Sequence, residues 1–292
     1  MVEKIKNIAL VGGTHGNEMT GVYLIKKFKS YPHLIERSSL DIKTFLANSK
    51  AIEAKQRYIE TDLNRCFGKK NLEDGNTVLY EQILAKNIAR KIKDNNTDLI
   101  VDLHTTTSQM GLTIIICDGH PFHLQLGSYL TSINPKIKIL KYSSAQEDLL
   151  LRSITKLGFA VEVGAVAQGV LDAGLFQETE QLVYSILDAL DKHNQGDNFD
   201  SYKSLILYQV IERIDYPRDG KEIRAMVHPN LQFKDYQPLN PGDPLFLTFE
   251  GKTISYEGDF TVYPVFINEA AYYEKGIAMC FTEKQEIVIK NN

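Results

Sequence analysis

Apolar residues recur along this chain in two alternating rhythms. Short apolar runs that end at turn signals read as strands: Ile8–Val11, Asp41–Asn48, Asp98–His104, Leu112–Cys117, Ile137–Tyr142 and Phe159–Ala165. Between them, apolar positions three and four apart mark amphipathic helices. These run through Tyr23, Leu24 and Phe28, through Leu79, Ile83, Ile88 and Ile92, and from Thr179 to about Lys192. Strands alternating with helices predict an α/β fold around a sheet with parallel strands. Leu112–Cys117 is apolar throughout, as expected of a strand buried on both faces. Residues 56–65 are polar with little periodicity and read as a loop, and the segment around Asp148 and Arg152 is irregular. His120-Pro-Phe-His123 reads as a helix start rather than a metal motif, because Pro121 suits a first helical position.

The rhythm changes after the polar break Asn194–Asn198. Beyond it come short β-rich runs punctuated by Tyr216-Pro-Arg-Asp-Gly220, Asn240-Pro-Gly-Asp-Pro244 and Glu250-Gly251. Residues 1–195 are therefore expected to form one unit, and 196–292 a smaller, β-rich second one. The tyrosines of Thr261–Tyr273 are expected mostly to pack, with one placed to lean over the first unit's cleft.

Composition narrows the function more by exclusion than by assignment. With 43% hydrophobic and 24% charged residues, the 292-residue chain is of ordinary globular make-up. A formal net charge of -4 gives no general attraction for nucleic acid or an anionic membrane, so an anionic substrate would need locally clustered arginines. No apolar run approaches the roughly 20 residues that span a bilayer, and Met1-Val-Glu-Lys-Ile-Lys lacks a secretory apolar core. Cys66, Cys117 and Cys280 are odd in number and far apart, which argues for a reducing compartment, by default the cytoplasm.

The chemistry collects at predicted strand ends. Val11-Gly-Gly-Thr-His-Gly-Asn-Glu18 is a glycine-rich turn between strand and helix, at the carboxyl edge where open α/β sheets bind ligands. His15 and Glu18, three apart, can face one point, and His104 ends another central strand. Two imidazoles and a carboxylate are the donors of a His2Glu zinc site with one open position. Each residue also has a plainer reading: a solvated helix start for the first pair, a hydrogen-bonded core histidine for His104. Glu162 stands alone among apolar residues near a strand end, where burial would raise its pKa toward that of a general base unless an arginine pairs with it. One zinc per chain at His15, Glu18 and His104 would lower the pKa of a bound water, and Glu162 would take the water's proton. One arginine would meet charge developing on a carbonyl oxygen, and others would grip carboxylates. The expected reaction is metal-assisted hydrolysis of an amide in a small anionic substrate.

Gly12–Glu18, Asp62-Leu-Asn-Arg65, Asp102-Leu-His-Thr-Thr106, Val161-Glu-Val-Gly164 and Asn268–Lys275 together resemble the signature blocks of the aspartoacylase/succinylglutamate desuccinylase family, within the zinc-carboxypeptidase-like superfamily. The likeness extends into the second unit through Asp215-Tyr-Pro-Arg-Asp219 and His228-Pro-Asn-Leu231. It implies an α/β/α sandwich around a mixed sheet and a β-rich second domain covering the cleft. It also implies zinc at His15, Glu18 and His104, Glu162 as general base and acid, and Arg57 on the scissile carbonyl. Asn64, Arg65, Arg152 and Tyr272 fall on the family's substrate-carboxylate contacts. The implied activity is hydrolysis of N-acetyl-L-aspartate to acetate and L-aspartate. Alternatives are an aminoacylase for aromatic or neutral N-acyl amino acids, a peptide-cleaving carboxypeptidase, and a catalytically silent zinc or acyl-amino-acid binder. Enzymes of this family are often dimers, so a homodimer is an expectation resting on the resemblance alone. One departure concerns substrate preference: animal members place a substrate-contacting tyrosine four residues before the Arg152 position, where this chain has Asp148. An acid there is expected to pair with Arg152, or to repel a dicarboxylate if it faces the pocket.

Overall fold

The structure, a computed structural model, describes residues 4–142, 147–196 and 204–289. The predicted break Asn194–Asn198 and the irregular segment Ser143–Leu151 thus fall partly outside the described residues. The first unit runs β1 (Asn7–Gly12), α1 (Met19–Ser30), β2 (Asp41–Leu46), α2 (Ser49–Ala54), α3 (Lys69–Glu73) and α4 (Tyr80–Asp94). It continues through β3 (Leu99–Thr105), β4 (Gly111–Ile116), α5 (Pro121–Ile133), β5 (Ile137–Lys141), β6 (Phe159–Gly164) and α6 (Ala173–Asn194). The β-rich remainder holds β7 (Ser204–Ile214), β8 (Arg218–Asp219), β9 (Glu222–Ile223), β10 (Ala225–Val227), β11 (Pro244–Thr248), β12 (Thr253–Ser255) and β13 (Met279–Val288).

Three helices, α2, α3 and α6, differ from the sequence reading, two of them for evident local reasons. α2 was not expected; it forms because the Asn48 side chain accepts from the Ala51 N–H at 3.2 Å, a cap that starts a helix of only six residues. α6 begins at Ala173, well before Thr179, because Asp172 caps it by accepting from the Leu175 N–H at 2.7 Å. Its first turn, Ala173-Gly-Leu-Phe176, hides that start behind a poor helix former. His120 does begin α5, its ring accepting from the Phe122 N–H, with Pro121 next in line.

One mixed sheet of eight strands in the order β13-β7-β5-β4-β6-β3-β1-β2 spans the molecule. β1, β2, β3 and β6 run parallel, and β4, β5 and β7 run against them. Alternation along the strands sorts the two faces. Ile8, Leu10, Leu99, Val101, Leu103, Phe159 and Val161 pack on one face against Leu24 and Phe28 of α1, Leu126 of α5, and Ile186 of α6. Ala9, Val11 and Ile100 face the other way, onto Ala85, Ile88 and Ile92 of α4. The result is an α/β/α sandwich around a mixed sheet, as the family resemblance implies. No helix among the described residues is long and apolar enough to cross a membrane.

The β-rich segment is not a detached appendage. Its first and last strands, β7 and β13, extend the central sheet, while β10, β11 and β12 form a separate small sheet. Tyr216, Val227, Leu239, Phe246, Met279 and Phe281 make its own core. Met110, Ile115, Ala160, Tyr236, Val265 and Phe266 form a further apolar cluster that joins it to the sheet beside Glu162.

The turn after β1 is fixed by close packing. Gly13 has φ +73°, and a Cβ on Gly16 would lie 2.0 Å from the backbone carbon of Ala51 in α2. Gly16→Ala should therefore force the turn off α2 and lower stability by about 1–3 kcal/mol. A urea midpoint equal to that of the parent would contradict this packing.

Candidate active site

Three adjacent parallel strands deliver the polar residues to one edge. β1 leads into the turn carrying His15 and Glu18, β3 carries His104, and β6 carries Glu162 directly opposite His104 in register. Because side chains repeat every second residue, Asp102 and His104 share a face of β3. His15, Glu18 and His104 are all buried, and one ligand atom from each lies within 4.8 Å of the others. Among the described residues this is the only such group of three.

Glu18 sits between the two imidazoles. Its Oε1 lies 2.6 Å from His15 Nδ1 and its Oε2 lies 2.9 Å from His104 Nδ1. The Thr105 N–H donates to the same Oε2 at 3.1 Å. Each ring is held from behind through Nε2, His15 by Asp62 at 3.0 Å and His104 by Asp102 at 2.7 Å. Thr14 donates its hydroxyl to Asp102 at 2.7 Å, so the turn bearing one histidine braces the carboxylate behind the other. Burial works to raise the Glu18 carboxyl, but the imidazoles outweigh it and hold it well below the usual range. Burial likewise opposes charging of His104, yet Asp102 and Glu18 carry it well above an ordinary histidine.

These contacts test the fit of a metal. Carboxylates on both nitrogens of each ring demand positive charge, either on the ring or between the ring and Glu18. With each Nε2–H given to an aspartate, both Nδ1 lone pairs point toward Glu18, the carboxylate–histidine arrangement that surrounds bound metals. A divalent cation among these two nitrogens and one carboxylate answers the charge demand, and the donor set suits zinc. The sequence reading named the three donors but missed Asp62 and Asp102 as the groups that orient them. The two-residue spacing of Asp102 and His104 on a strand was the available signal; nothing in the loop sequence pointed to Asp62.

The remaining expected residues line the same cleft: Arg57, Asn64, Arg65, Arg152, Glu162 and Tyr272. No arginine among the described residues is ion-paired with Glu162, so the ion-pair reading has no support. Enclosure pushes its carboxyl up to about 8, with Glu18 and Glu269 adding repulsion and His104 and Arg57 opposing it. Arg57 reaches Glu18 and Asp62 at 3.3 and 3.5 Å, and its Nε is buried without a hydrogen-bond partner among the described residues. Asn64 contacts His104 Nε2 at 3.4 Å and accepts from the Leu151 N–H at 2.9 Å, tying the Arg152 turn to the site. Arg65 donates to the Asn64 carbonyl oxygen at 2.6 Å. Tyr272 borders the cleft and packs on Phe266 at 5.2 Å, whereas Tyr263 and Tyr273 pack on Tyr208 and Tyr216.

Two further residues at or behind the site were not anticipated, Glu269 in the cleft lining and Lys275 behind it. Glu269, from the β-rich segment, accepts from the Thr107 N–H at 2.7 Å and from the Thr106 hydroxyl. Lys275 reaches Asp62 at 3.3 Å, so this segment also contacts the carboxylate behind His15. The expectation for Asp148 needs correction. Asp148 is exposed and does not line the cleft, and Arg152 pairs instead with Glu147 at 2.8 Å. The 3-10 turn over Glu147–Leu149 gives the two neighbouring acids different directions, which spacing alone does not reveal.

Residues 4–190 match the family described as "Succinylglutamate desuccinylase/Aspartoacylase catalytic domain", and residues 203–284 match "AstE/AspA barrel-sandwich hybrid domain". The chain is 54% identical over 290 residues to a "Probable aspartoacylase" of Nostoc sp., covering 98% of this chain and 99% of that one. It is 40% identical over 300 residues to the "N-acyl-aromatic-L-amino acid amidohydrolase (carboxylate-forming)" of Xenopus laevis, covering 99% and 98%. The crystal structure of murine aminoacylase 3 superposes with a TM-score of 0.92 at 36% identity, covering 99% of this chain and 98% of that one.

The histidine geometry sets a quantitative expectation. Purified chain should hold about one zinc, and His104→Ala should lose most of it while staying folded. Asp102→Asn keeps shape but weakens the support behind His104, so metal affinity should fall about 10–100-fold. Full zinc occupancy in His104→Ala, read by elemental analysis, would contradict the assignment.

Proposed function

The chain belongs to the succinylglutamate desuccinylase/aspartoacylase family, and on that premise we propose that it is a zinc-dependent amidohydrolase of small N-acyl amino acids, with N-acetyl-L-aspartate as preferred substrate. The observation that carries the proposal is the pairing in register of His104 with Glu162. It sets a buried carboxyl, suited to accept a proton, beside a donor cluster fit for a metal. Zinc held by His15, Glu18 and His104 would supply Lewis acidity and make a water acidic near neutral pH.

Everything else falls to the chain's own side chains. Glu162, without an ion pair among the described residues and with a raised pKa, in its ionised form takes the proton of the attacking water and returns it to the leaving nitrogen. The buried Nε of Arg57, without a hydrogen-bond partner among the described residues, gains one when an oxyanion forms within its reach, so its interaction strengthens as the carbonyl is attacked. Arg65 with Asn64, and Arg152 with Tyr272, hold one carboxylate each. In this reading residues 1–195 carry the chemistry, and 196–292 cover the cleft through Phe266, Glu269 and Tyr272. That cover favours small substrates over peptides. A second reading, an aminoacylase for neutral or aromatic substrates, is favoured by the Glu147–Arg152 pair, which already occupies one of the cations an acidic substrate would use.

Glu162→Gln keeps size but cannot accept the proton. A folded, zinc-loaded variant is expected to lose at least about a hundredfold in turnover. Activity within a few-fold of the parent would show that another group moves the proton.

Substrate preference is tested at Arg152. Arg152→Lys cannot reproduce a two-pronged grip, so it should cut kcat/KM on N-acetyl-L-aspartate by about 10–100-fold and on N-acetyl-L-alanine much less. Asp148→Tyr, at an exposed position outside the cleft, should leave both substrates little changed. Equal losses on the two substrates in Arg152→Lys would favour the second reading.

A further inference from the structure

The cleft arginines are not equally free. Arg57 meets Glu18 and Asp62 only through single contacts of 3.3 and 3.5 Å. Arg65 donates to a backbone carbonyl, and no carboxylate among the described residues pairs with it. Arg152 is engaged at two prongs: its Nε donates to Glu147 Oε1 at 2.8 Å and its Nη2 to Glu147 Oε2 at 3.1 Å. The Cys117 thiol donates to the same Oε1 at 2.8 Å. This is the fork-to-carboxylate geometry that an arginine offers a bound carboxylate ligand.

We propose that Glu147 is a specificity-determining residue: it occupies the Arg152 fork and competes there with the side-chain carboxylate of acidic substrates, lowering the enzyme's preference for acidic over neutral N-acyl amino acids. The proposal rests on the amidohydrolase reading above. Burial explains why such a partner is present at all. The Arg152 side chain is 7% exposed, and a buried guanidinium without a counter-charge is strongly destabilising. Glu147 is the more accessible partner at 18%, and it sits on a short 3-10 turn just before the cleft-lining Leu150 and Arg152. Its carboxylate can therefore turn out to water while the arginine stays in place. An acidic substrate must drive that exchange. A neutral side chain need not, and it finds apolar surface in the same cleft on Ile115, Leu150, Ala160 and Phe266. Two carboxylates contending for one fork give up part of the substrate's binding advantage, whichever of them prevails.

The test compares zinc-loaded parent and Glu147→Gln. The ratio of kcat/KM on N-acetyl-L-aspartate to that on N-acetyl-L-alanine should rise about tenfold in the variant, mainly through a lower KM for the aspartate substrate, the worth of one charge-assisted hydrogen bond. An unchanged or lower ratio would overturn the proposal and leave Glu147 as a brace for Arg152. Glu147→Asp, one methylene too short for the fork, should shift the ratio the same way by less, and it serves in place of Glu147→Gln should that variant not fold. Calorimetric affinities for the two compounds, with and without the Glu147 change in a Glu162→Gln background, give the same ratio without turnover. Failure of the amidohydrolase reading is thereby separated from failure of the Glu147 proposal.

Discussion

The Glu18 carboxylate, flanked by two imidazoles that are each backed by an aspartate, is the arrangement on which the rest of the site depends. Its oxygens lie 2.6 and 2.9 Å from His15 Nδ1 and His104 Nδ1, and all three residues are buried. Such a cluster is stable only where positive charge answers the carboxylates. The sheet makes it possible by bringing the ends of β1 and β3 side by side, and Gly16 permits the turn to press onto α2. Glu162 then lies next to that charge because β6 pairs with β3 in register.

Much of this architecture was legible in the sequence. A strand that ends in a histidine, and a glycine-rich turn between strand and helix, each fix where a side chain emerges. His15, Glu18, His104 and Glu162 therefore came from spacing and periodicity, while the assignment of Arg57, Asn64, Arg65, Arg152 and Tyr272 to the cleft needed the family resemblance. What stayed hidden depends on rotation and long-range contact. Asp62 reaches His15 across 47 positions, and Lys275 reaches Asp62 from the far end of the chain. Glu147 and Asp148 are neighbours with opposite fates, one on Arg152 and one in water, because a 3-10 turn decides which faces inward. The extension of the central sheet by β7 and β13 was also unreadable, since β-rich periodicity does not say which sheet a strand will join.

The charge pattern links the fold to the chemistry. The chain is acidic overall, yet Arg57, Arg65 and Arg152 converge on one cleft. Two of them are balanced by the protein's own carboxylates, and burial makes that balance necessary whenever no substrate is bound. Under the proposed function, substrate preference would follow from which internal pair gives way. Relatives described as probable aspartoacylase and as N-acyl-aromatic-L-amino acid amidohydrolase are 54% and 40% identical to this chain over nearly its whole length, so in the proposed reading a few changes around Arg152 would suffice for preference to diverge.

The central claim is that the cleft hydrolyses N-acyl amino acids with a metal at His15, Glu18 and His104. It is tested most directly by assaying purified zinc-loaded chain on N-acetyl-L-aspartate beside N-acetyl-L-tyrosine, N-acetyl-L-glutamate and N-succinyl-L-glutamate, before and after chelation. The account predicts release of acetate, fastest from N-acetyl-L-aspartate, lost on chelation and restored by zinc. Hydrolysis of none of the four, or turnover that survives complete removal of the metal, would contradict it.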